Sequence, residues 1–502
     1  MTTPLIAKPR SRRAPVRKHD VVVIGAGFAG LGAAIRLAQH GVGDVVILER
    51  GDRVGGTWRD NQYPGAACDI PSLLYSYSFA PKPDWPHAWS GSEEILGYIE
   101  DMVSRFELGP KLRFNSEVTS ATFDESAGRW TVAVADGTRY SARAVVSASG
   151  PLANPGLPDI AGRDEFTGIT MHSARWDHKV DLAGKRVAVI GTGASAVQIV
   201  PEIVEQAASV KVFQRTPGWV LPRPNLPQPG WLSSVYRHVP PAQSLAREVM
   251  FYGHEAVALA LVWNTPATTV VERIAKLNLR RQVREPWLRR QLTPDFRPGC
   301  KRMLMTSDFY PALQKDNCKL ITWPIQQIVA DGIRTADGIE HHVDVIVFAT
   351  GFEVSNAGTP FPVVGRDGRV LGEEWGSGAF AYKSVNVSGY PNLFFTFGPN
   401  SGPGHNSALV YMESQLTYTA RAVKTILDRD LHSLDVWRDK QDAFNRGIQK
   451  RLGRTTWNSG CSSWYLTADG FNATMYPGFA TQYRRQMAKL DLDDYEVRER
   501  AV

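Results

Sequence analysis

Three glycines open the readable chemistry of this chain. Gly25, Gly27 and Gly30 follow the apolar run Val21-Val22-Val23-Ile24 and lead into a helix-like segment, Leu31 to His40. Gly25 permits a tight turn, Gly27 lets backbone approach a pyrophosphate, and Gly30 lets helix pack on strand. An anion then sits on the helix N-terminus, where free N–H groups and the helix dipole favour negative charge. A second apolar strand, Asp44 to Leu48, ends in Glu49, spaced to hold a pair of ribose hydroxyls. The pattern recurs where the strand from Lys185 to Ile190 runs into Gly191-Thr192-Gly193-Ala194-Ser195-Ala196. The next strand, Val210 to Arg215, arrives at the same spacing, with Gln214 where Glu49 stood and Arg215 beside it. A lost carboxylate and a gained guanidinium suit a 2′-phosphate. The second loop is therefore read as an NADPH site. The first is read as an FAD site, because Gly55-Gly56-Thr57-Trp58 follows Glu49 closely enough to continue along a flavin.

Two dinucleotide sites in one chain point to electron transfer between two cofactors. The elements that position them give an α/β fold class: two Rossmann-like dinucleotide-binding domains, FAD and NADP, with a mostly helical insert in the NADP domain. Lys111 to Gly150 reads as a β-meander, with strands at Trp130–Ala135 and Ala144–Ala148. The run from His342 to Gly351 reads as an apolar strand that returns the chain to the FAD domain. The expected boundaries are a basic arm over 1–18 and the FAD domain over 19–152 and again over 343–502, with the C-terminal segment. The NADP domain is expected over 153–219 and 319–342, around a helical insert at 220–318.

The chain has 502 residues, enough for two or three cores, and 43% hydrophobic with 21% charged residues is an ordinary globular balance. Its 57 Lys+Arg against 50 Asp+Glu give a formal charge of +7. Part of that sits in the arm, as Lys8, Arg10, Arg12, Arg13, Arg17 and Lys18 against Asp20, which is expected to be disordered. No basic and aromatic interleaving follows, so nucleic acid is not an expected partner. No signal-peptide apolar run follows the arm, and the longest apolar stretch, Glu255 to Trp263, is too short to span a bilayer. Cys68, Cys300, Cys318 and Cys461 are far apart and form no CxxC pair, which argues for a reducing compartment, the cytoplasm, and against a disulfide framework or a zinc site. Monomer and homodimer both stay open.

Two longer patterns carry a resemblance. One is Phe166-x-Gly168-x-x-x-His172-x-x-x-Trp176-Asp177, and the other is Gly55-Gly56-x-Trp58-x-x-x-x-Tyr63-Pro64-Gly65-x-x-x-Asp69. With them the chain, from about residue 19 to 480, resembles the Baeyer–Villiger monooxygenases, the class B flavoprotein oxygenases. Trp176 favours this ketone-oxidising branch over the related flavin-containing monooxygenases that oxygenate N and S atoms. The resemblance implies a cycle in which NADPH reduces FAD, the reduced flavin takes up dioxygen at C4a as a peroxide, and the peroxide attacks a ketone. An ester or lactone results.

The protein must then supply a fixed positive charge and exclude water. Arg302 matches the family's active-site arginine, and Asp69 the carboxylate that positions it. Arginine suits the role because, unlike lysine, it keeps its proton in a dry pocket. Lys301, with Arg215 and Thr216, matches the surroundings of the 2′-phosphate, and Trp464 matches a tryptophan near NADP and substrate. The other residues expected at the cofactors are Phe28, Thr57, Trp58, Tyr75, Val118 and Gln198. His172 is expected to order the interdomain linker rather than act as a base, and Trp58 and Trp176 chiefly to pack. The turn Gly398 to Asn406, with His405, looks like a second flavin contact. Apolar residues of the insert (Trp219, Trp231, Phe251, Tyr252, Trp263) suit a hydrophobic ketone, with dioxygen as co-substrate. The competing readings are an N- or S-oxygenating enzyme, a disulfide reductase, for which no redox-active cysteine pair is seen, and a non-catalytic flavin binder.

Overall fold

The computed structural model describes residues 16–353, 359–461, 463, 465–467 and 469–500. Strand β1 (Val16–Ile24), helix α1 (Phe28–Gln39) and strand β2 (Val45–Leu48) form the first strand–glycine–helix–strand unit. Helices α2 (Thr57–Asp60) and α3 (Ser92–Arg105) follow, then β3 (Leu112–Arg113) and the meander β4 (Val118–Asp124), β5 (Arg129–Val134) and β6 (Arg139–Ser147). The second unit contains β7 (Ile169–His172), β8 (Arg186–Ile190), α4 (Ala196–Ile203) and β9 (Ser209–Phe213). After β10 (Val220–Leu221) come α5 (Gly230–His238), α6 (Pro240–Leu261), α7 (Pro266–Gln282) and α8 (Pro286–Gln291). Then follow β11 (Leu304–Met305), α9 (Phe309–Ala312), β12 (Cys318–Ile321), the antiparallel β13 (Ile325–Val329), β14 (Gly332–Thr335) and β15 (Glu340–His342), and β16 (Val345–Phe348). The last part holds β17 (Val363–Val364), α10 (Leu371–Glu374), β18 (Leu393–Phe395) and α11 (Ala408–Asp428). It ends with β19 (Leu431–Val436), α12 (Arg438–Leu452), α13 (Ala480–Met487) and β20 (Tyr495–Glu499).

The first sheet runs β17-β4-β5-β6-β1-β2-β3. Strand β6 changes partner along its length, lying antiparallel to β5 at its start and parallel to β18 at its end. The second sheet, β12-β9-β8-β16-β7, is parallel throughout. Val21, Val22 and Val23 in the first sheet and Val187, Ala188 and Val189 in the second are all fully buried. Strands covered on both faces read as unbroken apolar runs, which is why these two were so visible.

Two expectations are corrected here. The strand read as returning the chain to the FAD domain at 343 is β16, and it pairs with β7 and β8 in the second sheet. The first sheet is rejoined only by β17 and β18. An apolar β-branched strand carries no mark of which parallel sheet it enters, so position in the chain misled. The arm is also shorter than 1–18, because Val16, Arg17 and Lys18 pair with Arg139, Tyr140 and Ser141 of β6. Backbone ladder bonds hold this segment although its side chains are exposed, and Arg17 lies over the Tyr140 ring. Residues 1–15 lie outside the described residues. The insert bridges both halves: Phe251, Ala258 and Val262 enter the core of the first, and Leu279 that of the second.

Candidate functional site

The first glycine loop is built for a ligand that meets bare backbone. Gly25 has φ +103°, and a Cβ there would stand 2.6 Å from the Ala148 carbonyl oxygen; a Cβ at Gly30 would stand 1.8 Å from that of Gly25. Gly27 and Gly56 face each other so closely that a Cβ on either meets the other's Cα, at 3.5 and 3.1 Å. No side chain caps α1 at Gly27, which leaves the first-turn N–H groups to an anion. Glu49 is buried at the end of β2, and its carboxylate accepts from the Ala26 N–H (2.8 Å), the Gly51 N–H (2.8 Å) and Arg59 Nη1 (2.7 Å). These bonds fix its orientation beside the cradle. Val118 buries its side chain in the core under the meander, so only its backbone is left to a cofactor. Phe28, Tyr75 and Trp58 form an edge-on aromatic row, with Trp58 Nε1 donating to Tyr75 Oη at 3.2 Å. Ser147, Ser149 and Thr396, none singled out from sequence, and Asn400 of the expected Gly398–Asn406 flavin turn bury side-chain oxygens without hydrogen-bond partners. They lie at or after the ends of β6 and β18, where an open α/β sheet takes its ligands. Such orphaned polar atoms fit a large polar group such as FAD.

The segment from Gly55 to Asp69 explains its own pattern. After the Gly56 contact, Tyr63 Oη donates to Gln198 Oε1 on α4 at 2.9 Å, and Gln198 Nε2 donates to the Ala67 carbonyl at 3.0 Å. Gly65 has φ +76°, and a Cβ there would stand 2.7 Å from the Gln198 carbonyl. The Tyr63-Pro64-Gly65 turn thus docks the first domain on the second through Gln198.

The second glycine loop is more open. Gly191 (φ +116°) passes 2.4 Å from the Ala349 carbonyl by the same measure, and a Cβ at Gly193 would meet nothing within 4 Å. Ser195 leaves α4 without a side-chain cap, and Thr192 Oγ1 donates to the Thr216 carbonyl at 3.1 Å. Arg215 is exposed, and burial followed by the Arg215 charge lowers the Lys301 pKa. Two cations that repel each other across an open site match a bound 2′-phosphate. Gln214 does something the sequence did not disclose: it is buried and donates from Nε2 to the Gln291 carbonyl of α8 at 2.8 Å. The amide that stands in place of the carboxylate therefore also ties the helical insert down, through an N–H donor that a carboxylate lacks.

Arg302 and Asp69, 233 residues apart, meet in a two-pronged ion pair, Nε to Oδ2 and Nη2 to Oδ1, both 2.8 Å. The side chains remain 42% and 24% exposed, so a substrate can reach them. The Asp69 charge raises the Arg302 pKa against the opposing effect of burial, and the guanidinium stays protonated at any working pH. Buried Tyr465 lies within the same field; burial pushes its hydroxyl up to about 12, so it stays neutral. Arg223, not foreseen from sequence, is a second cation coupled to Asp308, Cys68 and Asp69, with burial lowering its pKa. Trp464 lies outside the described residues. Its neighbour Ser463, given no role from sequence, accepts the Tyr465 N–H at 3.3 Å.

The cysteine reading is overturned. Cys300, two residues before Arg302, is disulfide-bonded to Cys461, with Cα atoms 6.2 Å apart. A separation of 161 residues in sequence says nothing about distance once both segments fold over one site. The cytoplasmic placement drawn from unpaired thiols loses its support with it.

The Gly398–Asn406 turn is anchored from the insert. Glu255 of α6, buried, accepts from Asn406 Nδ2 (3.2 Å), lies 3.0 Å from His405 Nε2, and receives the Ala480 and Thr481 N–H groups (3.0 Å each) that begin α13. Burial pushes the Glu255 carboxyl up, but His405, the Thr481 hydroxyl and these N–H donors outweigh it and hold it at about 2. A carboxyl lowered by folding stabilises above its unfolded value and loses that contribution as pH falls through the folded one. Glu255→Gln is expected to cost roughly 1.5–3 kcal/mol at pH 7, the range of hydrogen bonds to charge. The gap between wild type and variant should close between about pH 4.5 and 2. Urea melts across this range check it, and a constant gap would refute the ionised role.

In the linker, Gly168 is required because a Cβ there would stand 2.5 Å from the Phe166 ring and 2.6 Å from the Asp344 carbonyl. His172 ends β7 buried, its Nδ1 accepting the Ala174 N–H at 3.1 Å and its ring edge-on to Phe352. Burial first, with Arg175 assisting, lowers its pKa to about 4, so it is neutral and serves the linker. Trp176 packs against the second core. In the insert, Trp219 and Phe251 are buried, but Trp231 (68% exposed) and Tyr252 (58%) point to solvent and do not line the site.

Residues 22–237 match the family described as pyridine nucleotide-disulphide oxidoreductase. A Baeyer–Villiger monooxygenase of Streptomyces coelicolor is 44% identical over 96% of this chain and 93% of its own length. One from Pseudomonas aeruginosa is 42% identical over 96% and 92%. The chain belongs to the Baeyer–Villiger monooxygenase family. Among solved structures, an oxidised steroid monooxygenase bound to NADP is 31% identical with TM-score 0.85, covering 96% of this chain and 100% of that one. A closed cyclohexanone monooxygenase is 26% identical with TM-score 0.87, covering 97% and 100%. This monooxygenase therefore has the expected two-domain fold and takes FAD and NADPH as cofactors. Family membership favours ketone oxygenation over the N- and S-oxygenating alternative and over a disulfide reductase.

Proposed function

We propose that Arg302, oriented by Asp69, is the catalytic cation that makes this FAD- and NADPH-dependent monooxygenase a converter of hydrophobic ketones into esters or lactones. The single observation that carries the assignment is the two-pronged Asp69–Arg302 pair, assembled from segments 233 residues apart and partly open to solvent. When bound, NADPH supplies the hydride and FAD the dioxygen chemistry. The protein's own part is electrostatic. A guanidinium that cannot lose its proton steadies negative charge as it develops on the carbonyl oxygen of the substrate. Asp69 occupies two of its donors, which fixes the fork and leaves the remaining N–H groups for the reacting oxygen. The neutral Tyr465, buried within the field of the pair, adds no charge of its own. Solved relatives that act on cyclohexanone or a steroid make a cyclic ketone the first substrate to try. Product analysis with NADPH, air and a panel of ketones and sulfides tests the reading. Esters or lactones support it; sulfoxides alone from the whole panel overturn it.

Arg215 and Lys301 are proposed to bind the 2′-phosphate. Arg215→Ala is expected to raise KM for NADPH by about 10–100-fold, the value of a charge-assisted bond, and to leave KM for NADH nearly unchanged. Initial rates of flavin reduction with each nucleotide decide it; an equal loss with both would assign Arg215 to the fold instead.

A further inference from the structure

Of the twenty exposed large apolar side chains among the described residues, thirteen lie between 226 and 287, in the helical insert. On α6, Leu245, Val249 and Tyr252 recur at helical spacing and are 66%, 66% and 58% exposed. Helix α6 packs beside α5 and α7, which continue the pattern outward with Trp231 on one and Ile274 and Leu277 on the other. The opposite face of α6 is the one that buries Phe251 and Glu255, so this helix already has a packed side. Its outer stripe is surplus to the fold. Scattered exposed apolar residues are normal, but a contiguous patch across three helices marks a contact surface.

Charge selects the occupant. Residues 226–291 hold nine Lys and Arg against four Asp and Glu. Buried Glu255 is committed to α13, and Glu272 is paired with Lys276 and Arg297. Arg237, Arg273, Arg280, Arg281, Arg284 and Arg290 are all exposed. A second copy of this chain docked about a two-fold axis would bring the basic face against itself. Apolar stripes with aromatic side chains and a basic rim match a bilayer that carries anionic headgroups. No helix among the described residues is long and apolar enough to cross a membrane, so the contact lies in the plane of the interface.

We propose that the outer face of α5, α6 and α7 rests on an anionic lipid bilayer. The face then stands one helix thickness, about 10 Å, from the His405 turn that the inner side of α6 anchors. An apolar ketone partitioned in lipid would be close to the site at the moment of docking.

The test is flotation of the FAD-loaded full chain with vesicles of phosphatidylcholine alone and of 3:1 phosphatidylcholine:phosphatidylglycerol, at low and high salt. Association is expected with the anionic vesicles only, falling at least about tenfold at high salt, as basic residues near a charged surface require. The variant L245E/V249E/I274E should lose it and keep wild-type flavin reduction by NADPH, since all three positions face solvent. Absence of flotation with anionic vesicles overturns the proposal. So does flotation that survives in the variant, which would place lipid contact elsewhere on the chain. So does a concentration-dependent dimer in sedimentation velocity that the variant dissolves without any vesicle binding.

Discussion

Arg302→Ala is expected to lower ester or lactone formation by about 10²–10³-fold, the cost of removing one donor aimed at a developing oxyanion. Reduction of the flavin by NADPH should continue, because the Arg302 guanidinium is committed to Asp69 and lies outside both glycine loops in sequence. The two half-reactions would then separate: NADPH is still consumed, and the ester does not appear. Stopped-flow flavin reduction and product chromatography on one preparation measure both. Arg302→Lys divides charge from geometry. Lysine keeps a cation but cannot hold Asp69 with two parallel bonds, so it should recover only part of the loss. Asp69→Asn tests positioning through a different readout. Without the carboxylate the guanidinium is free to turn, and kcat should fall more than KM changes, the pattern of an interaction made only in the transition state. Loss of flavin reduction in Arg302→Ala, equal to the loss of product, would move Arg302 from the oxygenation step to nucleotide binding.

The parts of the fold that were legible from residues alone are those where backbone geometry demands a residue type. Gly25 and Gly191 sit at φ values that L side chains avoid, next to carbonyls that a Cβ would strike, and buried parallel strands carry unbroken β-branched runs. Such constraints act within a few residues, so they survive in one sequence. Asp69 and Arg302 were found through family patterns, because two residues 233 positions apart leave no local period to read. Contacts made across the folded chain were missed for the same reason. Glu255 gave no sign that it caps α13, Gln214 none that it holds α8, and Gln198 none that it receives the Tyr63-Pro64-Gly65 turn. The misplaced β16 is the converse case: the element was recognised and its sheet was not, because both sheets draw on the same strand composition. Trp231 and Tyr252 show the limit of composition, since apolar residues of the insert face both the core and the solvent.

The Cys300–Cys461 bridge carries the second large effect. It closes a loop across 161 residues and lies on both segments that shape the site: Cys300 precedes Lys301 and Arg302, and Cys461 precedes Tyr465. Chain-entropy reasoning gives such a loop an upper bound of about 5 kcal/mol, and experience with native bridges puts their removal at about 2–5 kcal/mol. Other contacts share the load. Gly299 backs against the Leu261 carbonyl, and the Leu304 N–H binds the Trp219 carbonyl at 2.9 Å, so the Arg302 segment keeps one anchor on each side when the bridge is cut. The Cys461 side is held more locally: the Ser459 hydroxyl and N–H both donate to the nearby Thr456 carbonyl, and a Cβ at Gly460 would meet nothing within 4 Å. Cutting the bridge should therefore free the Tyr465 segment more than the Arg302 segment. Cys461→Ser is expected to lower Tm and to lower kcat/KM for the ketone more than it lowers the rate of flavin reduction. A dithiol reductant acting on wild type should reproduce both effects and leave the variant unmoved. If the wild-type Tm and product rate do not respond to the reductant, and mass analysis confirms that the thiols have formed, the bridge contributes neither stability nor order to the site.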